Sequence, residues 1–378
     1  MFDPDELDAL RDAIRAQTER DRHLLEDLRA DVREHLAGAS VIRPHTATAM
    51  SLVASDGGNN KLIFDPFNVN LVRIVDSLGR QLFLDVISPT TDPDTLYEVH
   101  AHAGDPLGTL MSDLGVKSLH ELSPMIPTGT TARTKPERVS GSWVLVYRDL
   151  CEWAVLYHRI CHTEFANHTL LVRDGLLRSK IFAEERFVEM ASAMATRMDA
   201  VRPLKLYLVG IAKHSQVLAR YRLALALESV MPSGEPRYVH VPRELERKVY
   251  TWPEYARGPE DVGPDEEAAK FVVGGMHLAR FGRSSGDPIW AVDLFYTQLD
   301  KADEVFGYLL ADAVHGFPMP YYPRCLQQAH EHAEVVDFDL EILQDTVFDA
   351  ARNLVTADLQ HAFDALRFAP DVANRRYE

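Results

Sequence analysis

The spacing of apolar and polar positions divides the chain into a helical start, a strand-rich section, an alternating middle and a helical end. Residues 5–37 place Leu, Ile and Ala at three- and four-residue intervals with charges between them, which predicts one long amphipathic helix. Residues 49–56 (AMSLVASD), 61–64 (KLIF), 69–76 (VNLVRIVD) and 81–87 (QLFLDVI) read as strands, with Gly-Gly-Asn-Asn at 57–60 as a hairpin connector. Residues 88–142 mix turn signals with short helical patches and close in a Pro/Gly/Ser/Thr-rich loop at 127–142. Next, 148–167 carries an apolar stripe at Leu150, Trp153, Ala154, Tyr157, Ile160 and Cys161. A strand at 169–174, a helix at 182–200, a strand at 204–212 and a helix to about residue 230 follow. Residues 250–270 predict an exposed acidic insertion, 271–281 and 288–296 a late strand pair, and 299–315, 324–334 and 340–366 helices. No internal repeat or low-complexity tract interrupts the pattern.

That order is informative. A three-stranded meander, a crossover helix, a parallel strand, a second helix and a last strand make an RNase H-like core: an α/β mixed sheet with flanking helices. The expected organisation is an N-terminal helix over 1–40, a main domain over 45–336 with insertions at 88–142 and 250–270, and a C-terminal helical segment over 337–378. Of 378 residues, 46% are hydrophobic and 26% charged, as in ordinary globular proteins. No run of about 18 apolar residues predicts a membrane span. Three cysteines without a paired framework predict a reducing, cytoplasmic setting. The formal net charge of −17 argues against the chain as a whole being a phosphate binder, so any nucleic acid must be met by a local basic patch, by metal ions or through a partner.

Candidate chemistry lies where strands end. Asp56 closes the first strand and Asp174 the strand after the crossover helix, each followed by glycine. As parallel neighbours these strands would bring two carboxylates to one edge, where like charges need a cation. Hard oxygen ligands suit Mn²⁺ or Mg²⁺. Glu152 on the crossover helix is the candidate third carboxylate, with Asp149 one turn earlier as the alternative. Three such acids could hold two divalent ions for phosphodiester hydrolysis. The plainer readings are turn chemistry for Asp-Gly and a solvated helix glutamate.

Five segments, "SDGG", "RDLCEW", "LLVRDGLL", "LVGIAKHS" and "YYPRCLQQAHEHAEV", resemble in order the motifs of the NurA nucleases, over about residues 50 to 336. The resemblance implies an RNase H-like fold and manganese-dependent cleavage of DNA ends by a homodimer on a HerA-type hexameric ATPase. It also implies that Asp56, Glu152 and Asp174 bind metal, that Lys213 after the last core strand neutralises the scissile phosphate, and that His330, or His332 beside it, positions phosphate or water. The long 88–142 segment and the acidic 250–270 insertion depart from simpler members. Two other functions compete: a degenerate, catalytically weak scaffold clamping the ATPase, and an integrase- or resolvase-like strand cutter, which would need a separate basic recognition domain that the sequence lacks.

Other signals point to structure. Cys151, His158, Cys161 and His162 look zinc-like in composition, but one helix offers two ligands per face and no second cluster completes four. His100 and His102 show no partner in the sequence. Ser284 to Gly286 reads as a hairpin turn, with Arg280 and Arg283 nearby as optional DNA contacts. No Walker motif or dinucleotide fingerprint is present.

Overall fold

The computed structural model describes residues 4–45, 50–64, 67–135, 139–258, 270–334, 337–357 and 359–361. Helices α1 (Pro4–Arg20) and α2 (Arg22–His35) open the chain. They correct the single helix expected over 5–37, because the path turns at Asp21. α2 buries Val32, with Leu36 beyond it, whereas α1 is almost wholly exposed. Strands β1 (Ser40–Val41), β2 (Met50–Phe64), β3 (Phe67–Asp76) and β4 (Gln81–Ile87) come next. Short helices α3 (Pro93–Ala103), α4 (Pro106–Asp113), α5 (Leu119–Leu122) and α6 (Gly129–Thr134) lead to the long α7 (Trp143–His162). The chain then alternates: β5 (His168–Asp174), α8 (Arg186–Ala200), β6 (Leu206–Ala212), α9 (Gln216–Leu227), β7 (Arg237–His240) and α10 (Arg243–Arg247). It closes with β8 (Gly274–Arg280), β9 (Trp290–Phe295), α11 (Ala302–Ala313), α12 (Arg324–Ala333) and α13 (Asp337–Arg352).

Among the described residues the strands form one mixed sheet of nine, in the order β1-β7-β8-β9-β6-β5-β2-β3-β4. The expected hairpin at 57–60 is absent. Gly57 pairs opposite Ile74 and Asn60 opposite Leu71, so β2 runs unbroken from Met50 to Phe64. A full antiparallel ladder with β3 outweighs the poor strand propensity of Gly and Asn. On its other side β2 is parallel to β5 from Met50↔His168 to Ser55↔Arg173, and β5 is parallel to β6 through Asp174↔Ile211.

Strand alternation sorts side chains into two layers. Leu171 and Leu208 pack with α7, α8 and the helices of the 88–142 segment. Leu170, Val172, Val209 and Ile211 pack with α11 and α12. Leu107, Leu110, Leu119 and Leu122 are fully buried in the first layer, so the 88–142 segment, expected as an insertion, contributes to the core. A third cluster joins α2 and α9 to β8 through Val32, Val217, Met276 and Leu278.

His100 has the partners that its sequence context did not reveal. Its Nδ1 lies 2.5 Å from Asp105 and its Nε2 2.7 Å from the Tyr147 hydroxyl, which donates to Asp85 at 2.6 Å. Burial pulls its pKa down, but hydrogen bonds to Asp105 and Asp85 outweigh it and raise the value to about 9. A raised histidine stabilises the fold below its ordinary pKa, and that contribution disappears as pH rises through the folded value. Stability is therefore expected to fall from pH 6.5 through about 9, by up to about 3 kcal/mol. Denaturant unfolding across that range checks this: His100→Gln should flatten the profile, and equal slopes for variant and wild type would refute it.

Candidate active site

The end of β5 carries the candidate chemistry. Arg173 and Asp174 are adjacent, so they leave the strand on opposite faces. Arg173 is buried and turns to α7, where its Nη2 lies 2.8 Å from Asp149 and 3.4 Å from Glu152. Its guanidinium also stacks on Trp153, 4.3 Å from the ring centre. Arg148 reaches Glu152 at 3.5 Å from the same helix. Asp174 turns to the other layer. One carboxylate oxygen accepts from Lys213 Nζ at 2.8 Å and the other from the Tyr322 hydroxyl at 3.2 Å. Lys213 follows β6 directly, and its ammonium sits 5.5 Å from the Tyr322 ring centre.

Two glycines make this edge possible. Gly175 has φ +109°, a left-handed conformation, and a Cβ there would collide with Arg173 Nη1. Gly210 on β6 faces the backbone of Gly175 and Leu177 so closely that a Cβ would collide with the Gly175 carbonyl. The turn after β5 is thus pressed flat on β6, with the Gly175 N–H donating to the Ile211 carbonyl at 2.7 Å.

The next residues are locked by a buried ion network that the sequence did not reveal. Arg178 donates from Nε and Nη2 to both oxygens of Asp293 at 2.8 and 2.9 Å. Its Nη1 reaches Glu246 and the Tyr255 carbonyl. Arg243 donates to Glu246 at 3.0 Å and to the Gly274 carbonyl at 2.9 Å. The Leu177 N–H donates to Asp293 at 3.1 Å. Burial pushes the Glu246 carboxyl above the ordinary range, and the two guanidiniums oppose that rise without cancelling it.

The structure brings Asp174 and Lys213 together, while Glu152 and Asp149 meet Arg173 on the opposite layer. Asp56 lies one residue past the Ser55↔Arg173 pair, so its backbone is level with Asp174; its side chain lies outside the described residues. Among the described residues no group of three or more His, Cys, Asp or Glu gathers as a metal cage. His330 is exposed on α12. His332 sits over the β3–β4 turn, with its ring against Gly79 and its carbonyl accepting from Arg73 at 2.8 Å.

The remaining signals resolve structurally. His162 and Tyr157 both bond Asp113, at 2.7 and 2.8 Å, and Cys151 is buried. Arg280 is no DNA contact: it is 1% exposed and donates to the carbonyls of Met231, Pro232, Glu235 and Gly282. Ser284 to Gly286 does form a turn, held by the Ser284 N–H donating to Asp287 at 2.7 Å. No helix among the described residues is long and apolar enough to cross a membrane.

An acidic strand end with an adjacent lysine, at the middle of a mixed sheet covered on both faces, defines an α/β protein with a polar edge site. Solved structures of NurA nucleases are among its structural neighbours. The NurA nuclease from Sulfolobus solfataricus shares 13% identity at a TM-score of 0.45, covering 94% of this chain and 99% of that one. NurA with manganese shares 14% at a TM-score of 0.36, covering 91% and 99%. NurA bound to dAMP and manganese shares 12% at 0.35, covering 86% and 94%. No protein-family model and no curated protein matches the chain.

The ion network yields a direct prediction. Asp293→Ala leaves Arg178 buried and partly uncompensated, which should lower stability by about 3–5 kcal/mol in denaturant unfolding. A loss below about 1 kcal/mol would show that the network does not anchor the loop after β5.

Proposed function

We propose that this chain is a divalent-metal-dependent DNA nuclease that hydrolyses phosphodiesters at the end of β5. The observation that carries the reading is Asp174, half-buried at that strand end, with an ammonium 2.8 Å away and Asp56 level with it on the parallel neighbour. The order β4-β3-β2-β5-β6, three antiparallel strands beside two parallel ones, supports an RNase H-like core. The five motifs that resemble the NurA nucleases support the same reading.

The donor chemistry fits a hard divalent ion, because Asp56, Asp174 and the α7 acids offer only carboxylate oxygens. The position beside Asp174 also already accepts a cation, the Lys213 ammonium. Mn²⁺ or Mg²⁺ would be held by Asp56 and Asp174; Glu152 or Asp149, which pair with Arg173 on the opposite layer, would have to leave Arg173 and reach round the strand end to serve as the third carboxylate. When bound, the ion would activate water and offset charge on the phosphodiester. Tyr322 holds the Asp174 carboxylate in place through its hydroxyl. Lys213, relieved of Asp174, is placed to pair with the scissile phosphate. His330 would position phosphate or water from α12. Leu10, Ile14 and Leu24, 43%, 57% and 54% exposed on α1 and α2, supply an apolar surface for a second copy or for a HerA-type ATPase.

Asp56→Asn and Asp174→Asn are each expected to abolish Mn²⁺-dependent cleavage of linear DNA while the fold survives. Lys213→Ala should keep manganese binding by calorimetry and lose cleavage rate by about a hundredfold, through poorer charge stabilisation of the transition state. Near-wild-type cleavage by either aspartate variant would sink the assignment. Adding the ATPase to the assay tests the partnership separately.

A further inference from the structure

On the α7 side of the same edge lies a cleft of about 470 Å³, within the size range of small-ligand sites. Asp149, Lys180, Gln216, Tyr250, Trp252 and Tyr255 line it. It adjoins the candidate site on two sides. Asp149 is the residue bonded to Arg173, and Gln216 stands three residues after Lys213 at the start of α9. The aromatic wall comes from the first residues of the segment that the sequence marks as an insertion.

Those aromatics are arranged for contact with a flat ligand. Tyr255 is fixed by Phe271, stacked at 5.7 Å, and by Tyr250 at 5.9 Å. Its hydroxyl has no hydrogen-bond partner among the described residues. Trp252 is 67% exposed, whereas Trp143, Trp153 and Trp290 are 2%, 0% and 8% exposed. An indole two-thirds exposed at the rim of a polar cleft is the geometry of a stacking platform.

We propose that this cleft is a nucleotide subsite that stacks one unpaired base of single-stranded DNA on Trp252, with the flanking phosphate near Lys180. The proposal rests on the nuclease reading above and names its substrate class. Paired bases do not offer a free face, so the subsite selects single strands or frayed ends. Electrostatics alone would not hold the strand here. The chain carries a net charge of −17, and Arg178 is already consumed by Asp293 and Glu246. Stacking therefore supplies most of the affinity, and the salt dependence is shallow, equivalent to about one or two phosphate contacts.

The lone exposed tryptophan makes the test direct. Full-length protein in EDTA is titrated with a 12-mer of oligothymidine and with a blunt duplex of equal length, reading tryptophan fluorescence and the anisotropy of labelled DNA. Wild type should show quenching with the single strand and weaker binding of the duplex. Trp252→Ala should lose the quenching and bind the single strand about 5- to 100-fold more weakly, and Trp252→Phe should recover most of the affinity. Equal affinity of Trp252→Ala and wild type, or no binding of the single strand at all, overturns the subsite; equal affinity is also the result expected if the cleft serves a protein partner. A cleavage assay with Mn²⁺ separates the two claims. Trp252-dependent binding without cleavage leaves the subsite standing and the nuclease reading refuted. Cleavage by Trp252→Ala with unchanged KM does the reverse.

Discussion

Successive side chains of an extended strand leave on opposite faces, and at the end of β5 this rule puts a guanidinium and a carboxylate back to back. Arg173, with Arg148, offsets the charge of the two acids of α7, while Asp174, one residue on, takes its charge balance from Lys213 at the end of the neighbouring β6. Each half of this arrangement depends on the other. Without Arg173, Asp149 and Glu152 would stand one turn apart as like charges beside a buried tryptophan, with less cationic charge to offset them. Without the pleat, Asp174 would join them. The strand end thus holds two charge systems of different kinds: a stacked, buried one on the α7 layer, and a half-buried one facing the other layer.

What fixes the edge in space is the backbone behind it. The Gly175–Gly210 approach removes any side chain from between two strands, and the network of Arg178, Asp293, Glu246 and Arg243 clamps Leu177 and Arg178 to β9 and α10. Buried ion pairs of this sort contribute little net stability, since desolvation offsets their attraction, but they penalise every alternative position of the loop. A carboxylate proposed to hold a metal ion would benefit more from that penalty than from extra hydrophobic area.

Much of the fold was legible because the relevant signals are local. Strand β4 at 81–87 was read without error, and β5 within one residue, because a short apolar or alternating run bounded by turn residues has few other readings. Gly57 to Asn60 misled because turn propensity is local while the β3 ladder that overrides it is not. β7, four residues of Arg-Tyr-Val-His, was missed because so short a run has no measurable period. At the site, Asp174 and Lys213 were legible as strand-end residues, and their contact follows from adjacent strands. The pairing of Glu152 with Arg173 was not, because it depends on which way α7 is rotated over the sheet. Arg178 and Asp293 lie 115 positions apart, and no sequence spacing could join them.

The two neighbours of β5 end differently. β6 stops with it, since Asp174 is aligned with Ile211, whereas β2 passes the same level and continues to Phe64 with β3 alongside. The edge is therefore a step rather than a rim: open on the lysine side and walled on the other by a hairpin. The DNA strand proposed to reach Asp174 would not meet the two sides equivalently, so the unequal strand lengths would bias the hand of its approach before any side chain took part.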